Sequence, residues 1–240
     1  MLQIKRAGHS TLTTPDIERM IDYFTRIVGL SLAARDKNRA ILATKSGLEA
    51  IVLERGSAVE APRLSFQVAP GSDLGEVASR LKKAGINSER RSDITPGIGE
   101  AVAFQDPKGT TLEIFSDFAF APEDSTFTGV MPLKLGHIAY QCPDVQGIVK
   151  FYCGMLGFRV SDWRSDFFAF LRCSRDHHTV NFYATARPRS ITSPSRSATG
   201  RTSSAPAISW RATTSSSPGG RSATSSATTS PSITTIPTAW

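Results

Sequence analysis

The chain has 240 residues, 40% of them hydrophobic, and a formal net charge of +7. That length suits one large or two small domains. Residues 1–186 hold 22 basic against 21 acidic groups, whereas Arg187, Arg189, Arg196, Arg201, Arg211 and Arg221 follow the last acidic residue, Asp176, so the basic balance belongs to the tail and does not mark the folded part as a nucleic-acid binder.

Cys142, Cys153 and Cys173 form no CxxC pair and leave an odd count, which reads as reduced thiols in the cytoplasm. The first ten residues carry no apolar core of a signal peptide. No apolar run approaches the ~18 residues of a membrane span. The expectation is therefore a cytoplasmic protein with no membrane and no nucleic-acid partner.

The predicted elements begin with a short alternating strand that holds His9. Pro15 and Asp16 then open a helix, with Asp16 at its N-cap. Ile17, Met20, Ile21, Phe24 and Ile27 give that helix one apolar face, and Gly29 ends it. Strands follow over residues 31–34, 40–44 and 50–54. A second unit has a strand over 63–69, a helix over 73–84 closed by Gly85, and a hairpin over 101–115. Asp106, Pro107, Lys108 and Gly109 form the hairpin turn.

A third unit repeats the first. Residues 8–30 read GHSTLTTPDIERMIDYFTRIVGL and residues 136–158 read GHIAYQCPDVQGIVKFYCGMLGF. Gly-His, Pro-Asp, an aromatic pair and Gly plus an apolar residue recur at a constant offset, pairing His9 with His137, Asp16 with Asp144 and Gly29 with Gly157. Strands over 159–163, 167–172 and 179–183 complete this unit. The layout is thus α+β, with βαβββ modules repeated three times. They divide into an N-terminal two-module domain (3–118), a first module of a second domain (133–186) and a Ser/Thr/Arg-rich tail (187–240) that is expected to be disordered.

A fourth module would be expected where the tail begins. From residue 190 onward, 26 of 51 residues are Ser or Thr. The genetic code suggests an origin for this composition. If the proper frame starts one base earlier, SITSPSRSA at 190–198 permits LHHIAFEVR, which parallels the strand at 63–68. SITTIPTAW at 232–240 permits IYHHNPDGM, which parallels AFQDPKGTT at 103–111. Both ends of a module emerge in the right order. The tail is therefore read as out-of-frame translation of the fourth module, and the chain as a truncated version of a longer parent.

The repeated modules resemble the vicinal oxygen chelate (glyoxalase/bleomycin resistance/dioxygenase) superfamily. LGHIAY, FYCGMLGF and FLRCSRDHHTVNF resemble more closely the extradiol ring-cleavage dioxygenases of the catechol and 2,3-dihydroxybiphenyl type. The resemblance covers about residues 3–183. It implies an oxidoreductase of aromatic-compound catabolism that opens a catechol-like diol with dioxygen. It also implies a non-haem Fe(II), with Mn(II) an alternative, held by two His and one carboxylate on one face.

By that resemblance His137 matches the first metal ligand. The second ligand corresponds to the second His of the shifted LHHIAF, and the carboxylate lies past the shifted NPDGM. His178 matches the acid/base that assists proton transfer, a task suited to a side chain whose unperturbed pKa is about 6.5. His177 is expected on the opposite face of the strand. In the N-terminal domain His9 and Glu113 stand in two of three metal-ligand slots. The third falls near Arg63, which cannot ligate a metal, so this reads as a vestigial site in a metal-free structural domain.

As encoded, the chain is expected to hold no iron stably and to be catalytically defective. The alternative is a non-redox binding or glyoxalase-like protein that uses the N-terminal domain. A homo-oligomer formed through exposed third modules is a further possibility, since residues 133–183 are expected to lack the partner that would cover their sheet edge and helix face.

Overall fold

The computed structural model describes residues 1–184, 207–211 and 233–235. Two mixed sheets are present. The first has eight strands in the order β2-β3-β4-β1-β5-β8-β7-β6. Its strands are β1 (Arg6–Thr14), β2 (Ser31–Arg35), β3 (Arg39–Ala43), β4 (Glu49–Arg55), β5 (Glu60–Gln67), β6 (Glu89–Thr95), β7 (Ile98–Gln105) and β8 (Thr111–Phe115). β1 runs parallel to β4, β5 runs parallel to β8, and β1 and β5 join the modules antiparallel. The parallel pairs need crossovers, which α1 (Ile17–Asp22) and α2 (Leu74–Lys83) provide.

The second sheet follows the order β10-β11-β12-β9-β13-β14. Here β9 (Lys134–Cys142) and β12 (Val180–Ala184) are the parallel pair, and α3 (Val145–Leu156) is the crossover. β10 (Arg159–Arg164) and β11 (Phe168–Arg172) continue outward. The repeat seen in the sequence is thus a repeat of topology: β9 stands in the second sheet where β1 stands in the first.

The helix punctuation has local causes. Asp16 accepts a hydrogen bond from the Arg19 amide and Asp144 from the Gly147 amide, each satisfying an orphan donor of a first turn. Gly157 ends α3 with φ 78°, and a Cβ there would stand 2.5 Å from the Leu2 carbonyl oxygen. That close approach exists because the Leu2 and Ile4 amides donate to Met155 and Leu156, whose carbonyls the helix itself leaves unpaired.

Four expectations need correction. The first helix is a single α-turn pair continued by a π-helical segment over Tyr23–Val28. The wider π winding shifts the apolar stripe by one residue, so Val28 is buried and Ile27, expected inside, is exposed. β6 was not foreseen, because ERRSDIT is mostly charged and has only Ile94 and Thr95 buried. The tail is not wholly without structure: β13 (Ala207–Arg211) pairs antiparallel with β9, and β14 (Ile233–Thr235) pairs with β13. β13 takes beside β9 the antiparallel place that β5 takes beside β1. The segment 190–198 and most of 232–240 lie outside the described residues.

The fourth correction concerns the third module, which is covered rather than open. Its apolar face joins one continuous core with the N-terminal domain. Phe66 of β5 packs edge-on against Tyr152 and Phe158, with ring centroids 6.3 and 5.3 Å apart. A polar cluster sits in the same junction. The buried Tyr152 hydroxyl donates to Asp106 Oδ2 (3.1 Å), and Lys108 Nζ lies 3.9 Å from the centre of the Tyr140 ring. The turn expected at Asp106-Pro107-Lys108-Gly109 is present, with Asp106 Oδ1 accepting from the Lys108 and Thr110 amides. It also fastens the two sheets together.

Candidate functional site

Side chains alternate along β9, so Ile138, Tyr140 and Cys142 enter the shared core while His137 faces the other way. On that second face β11 contributes Phe168 and Phe170, and β12 contributes Asn181 and Tyr183. The register pairs Phe168 with Tyr183 and Phe170 with Asn181. The Phe168 and Phe170 rings stack at 4.5 Å. His137 meets His178 here, with ring centroids 4.1 Å apart. The result is a sheet face on which two imidazoles lie beside stacked aromatic rings.

His178 lies just ahead of the strand expected from residue 179. It sits with His177 in the bend before β12, which begins at Val180. The two His therefore do not face opposite ways. Their Nδ1 atoms are 2.8 Å apart, and both rings touch Phe170, at 5.8 Å for His177 and 5.3 Å for His178. Asn181 is a site residue that the sequence reading missed. It is 2% exposed, and its Oδ1 makes no hydrogen bond. Its place inside an alternating strand reads as polar-out, and only the sheet pairing reveals that it is buried.

These residues do not fit the metal that the fold implies. Among the described residues no three His, Cys, Asp or Glu side chains cluster so as to hold an ion. β13 pairs Ser209 with His137, and neither AISWR nor ITT contains a His or a carboxylate.

In the N-terminal domain the eight strands curl until the two ends of the sheet meet. Arg39 of β3 donates through Nη2 to the Ile94 carbonyl of β6. Glu49 of β4 accepts from Thr95 Oγ1 and, at 3.0 Å, from the Gly97 amide. Within this cup His9 Nε2 lies 3.5 Å from Glu113 Oε2, both side chains being almost wholly buried. Ser65 Oγ lies 3.1 Å from His9 Nδ1 and fixes the ring. Arg91 Nη1 bonds Glu113 Oε1 at 2.8 Å, Arg63 Nε lies 3.5 Å from the same oxygen, and Arg63 Nη2 bonds Glu54. Burial alone would raise the Glu113 carboxyl pKa. The contact with His9 and the charges of His9, Arg63 and Arg91 outweigh it and hold the pKa below the ordinary value.

The fold and these sites define a class: paired βαβββ modules that cup a polar or metal-binding centre. The Glyoxalase/Bleomycin resistance protein/Dioxygenase superfamily model matches residues 6–114 and 134–216, and the chain belongs to that superfamily. It is 25% identical over 208 residues to a biphenyl-2,3-diol 1,2-dioxygenase of Paraburkholderia xenovorans, covering 79% of this chain and 70% of that protein. It is 27% identical over 152 residues to an iron-dependent extradiol dioxygenase of Rhodococcus jostii, covering 52% and 49%. Among solved structures, the Mn(II)-bound glyoxalase of Novosphingobium aromaticivorans superposes with a TM-score of 0.69 at 26% identity, covering 77% of this chain and 63% of that one.

Proposed function

We propose that this chain is an extradiol dioxygenase-type protein whose intact parent cleaves a catechol-like aromatic diol with dioxygen. The observation that supports this reading is the contact between His137 and His178 on the face of the third module turned away from the shared core. In the parent His137 would supply one metal ligand. Fe(II) suits the two-imidazole, one-carboxylate set, and Mn(II) shares that ligand preference. The relatives' names include both metals.

His178 would hold or move the proton of the bound diol, and the Phe168–Phe170 stack would flank an aromatic ring. As encoded, the chain supplies one ligand of three and is expected to be inactive. We ascribe the missing ligands to a shift of reading frame between about residues 182 and 190. The binding-protein reading is less well supported, because cross-sheet bonds from Arg39 and Glu49 close the N-terminal cup.

The test is oxygen uptake with a 2,3-dihydroxybiphenyl or catechol substrate after anaerobic loading with Fe(II). The chain as encoded should consume no oxygen above background. A chain with the frame restored after residue 182 should consume it, and His137→Ala should abolish that uptake. An inert, folded, iron-loaded restored chain would refute the proposal, as would His137-dependent uptake by the chain as it stands.

A further inference from the structure

We propose that Asp176 is a positioning residue: through Lys134 it holds the loop that carries His178 against the strand that carries His137. The inference rests on the ring-cleavage reading for its chemical meaning. Its test is geometric and uses the chain as encoded, so either can fail without the other.

The two imidazoles come from separate elements. His137 stands within β9, whose pairing with β12 and β13 fixes its backbone. His178 lies in the bend between β11 and β12, ahead of the residues that those strands pair. Behind His178 the chain is secured by its backbone. The Thr179 amide donates to the Leu171 carbonyl at 2.7 Å, and the Thr179 carbonyl accepts from the Ile138 amide at 3.2 Å. Ahead of His178 the tie is made by side chains. Lys134 Nζ donates to Asp176 Oδ2 at 2.5 Å, and Lys134 is the first residue of β9. One charge-assisted bond therefore joins the bend just before His178 to the strand just before His137. Between these two ties the His137 and His178 rings meet, with centroids 4.1 Å apart.

Burial decides what the pair is for. The Asp176 side chain is 18% exposed and the Lys134 side chain 41%. An ion pair open to water on one side adds little to overall stability, so its value here lies in direction rather than strength. Direction matters for a group that holds or moves a proton, because a misplacement of about 1 Å can cost about a hundredfold in rate. The partner beside His178 gives it no independent support. His177, whose Nδ1 lies 2.8 Å from that of His178, is exposed and belongs to the same bend. Phe170 touches both rings from β11 and bounds them on one side. The anchorage of the bend thus sets where the His178 ring stands relative to His137.

The chain contains four His, so the full-length protein labelled only at histidine shows four ring systems. The readout is the nuclear Overhauser cross-peak between the His137 and His178 rings. His9, buried in the N-terminal cup, is the internal control. In Asp176→Asn and in Lys134→Gln the cross-peak should be lost. The His9 signals should stay in place, and the urea midpoint should fall by less than about 0.5 M. Lys134→Arg keeps the charge and the reach and should retain the cross-peak.

A cross-peak that survives in either Asp176→Asn or Lys134→Gln would overturn the proposal. So would its loss together with displaced His9 signals or a larger fall in the midpoint, since the pair would then support the fold as a whole. If Asp176→Asn does not fold, Lys134→Gln and Lys134→Arg decide. Loss in the first with retention in the second supports the proposal, and the same outcome in both overturns it.

Discussion

Removing one oxygen atom at the domain junction should loosen the third module. In Tyr152→Phe the ring and its packing against Phe66, Phe158 and Phe182 persist, but the hydroxyl that reaches Asp106 Oδ2 at 3.1 Å is gone. Both groups are buried, so water cannot replace the donor. Losing a hydrogen bond to a charged group of this kind costs about 1.5–3 kcal/mol. With a urea m-value of about 2 kcal/mol/M, that is a fall of about 0.7–1.5 M in the unfolding midpoint.

The loss should depend on pH. Burial raises the Asp106 carboxyl above its usual 3.8, opposed by the charge of Lys108, the Thr110 and Lys108 amides and the Tyr152 hydroxyl. A raised folded-state pKa means that stability is greatest below the unfolded value and is lost as pH rises through the folded one. Deleting the hydroxyl raises that pKa further, so the mutant should lose more at pH 8 than at pH 4. Urea titrations at both pH values, with hydrogen exchange over β9 and α3, measure it. A midpoint shift equal at both pH values, or within error of zero, would refute the latch.

Two further predictions follow from named contacts. Glu113, held below its ordinary pKa, contributes stability above about pH 4.5 that is lost as pH falls through its folded value. Thermal melts from pH 6 down to pH 2 should therefore show a shallower acid limb for Glu113→Gln than for the parent chain, and identical limbs would contradict this. Gly157→Ala places a Cβ 2.5 Å from the Leu2 carbonyl at a positive φ. It should cost about 1–3 kcal/mol in denaturant unfolding, and an unchanged midpoint would show that the first residues do not dock on α3.

Much of the fold was legible because module boundaries depend on local chemistry. Asp16 and Asp144 cap, and Gly29 and Gly157 adopt positive φ, for reasons confined to a few residues. The exposed β6 carries no apolar rhythm, so only its pairing with β7 reveals it. Ile27 misled because a π-helical turn does not alter composition. At the candidate site the repeat placed His9 and His137 at equivalent strand positions. Ser65, Asn181 and the Asp106–Tyr152 bond could not be so placed, because each acquires its role from a strand or helix distant in sequence. Apolar-face arguments likewise predicted an uncovered third module, since they did not include the surface that β5 and β7 present to α3.

The most direct test of the central claim, a ring-cleavage module left without its full ligand set, is to resequence the coding DNA from codon 175 through several hundred bases downstream. The account predicts a frame, offset by one base, that runs through LHHIAFEV and NPDGM into a strand bearing a Glu. Absence of any fourth module in all three frames would contradict it and make the Ser/Thr/Arg segment a genuine part of the protein.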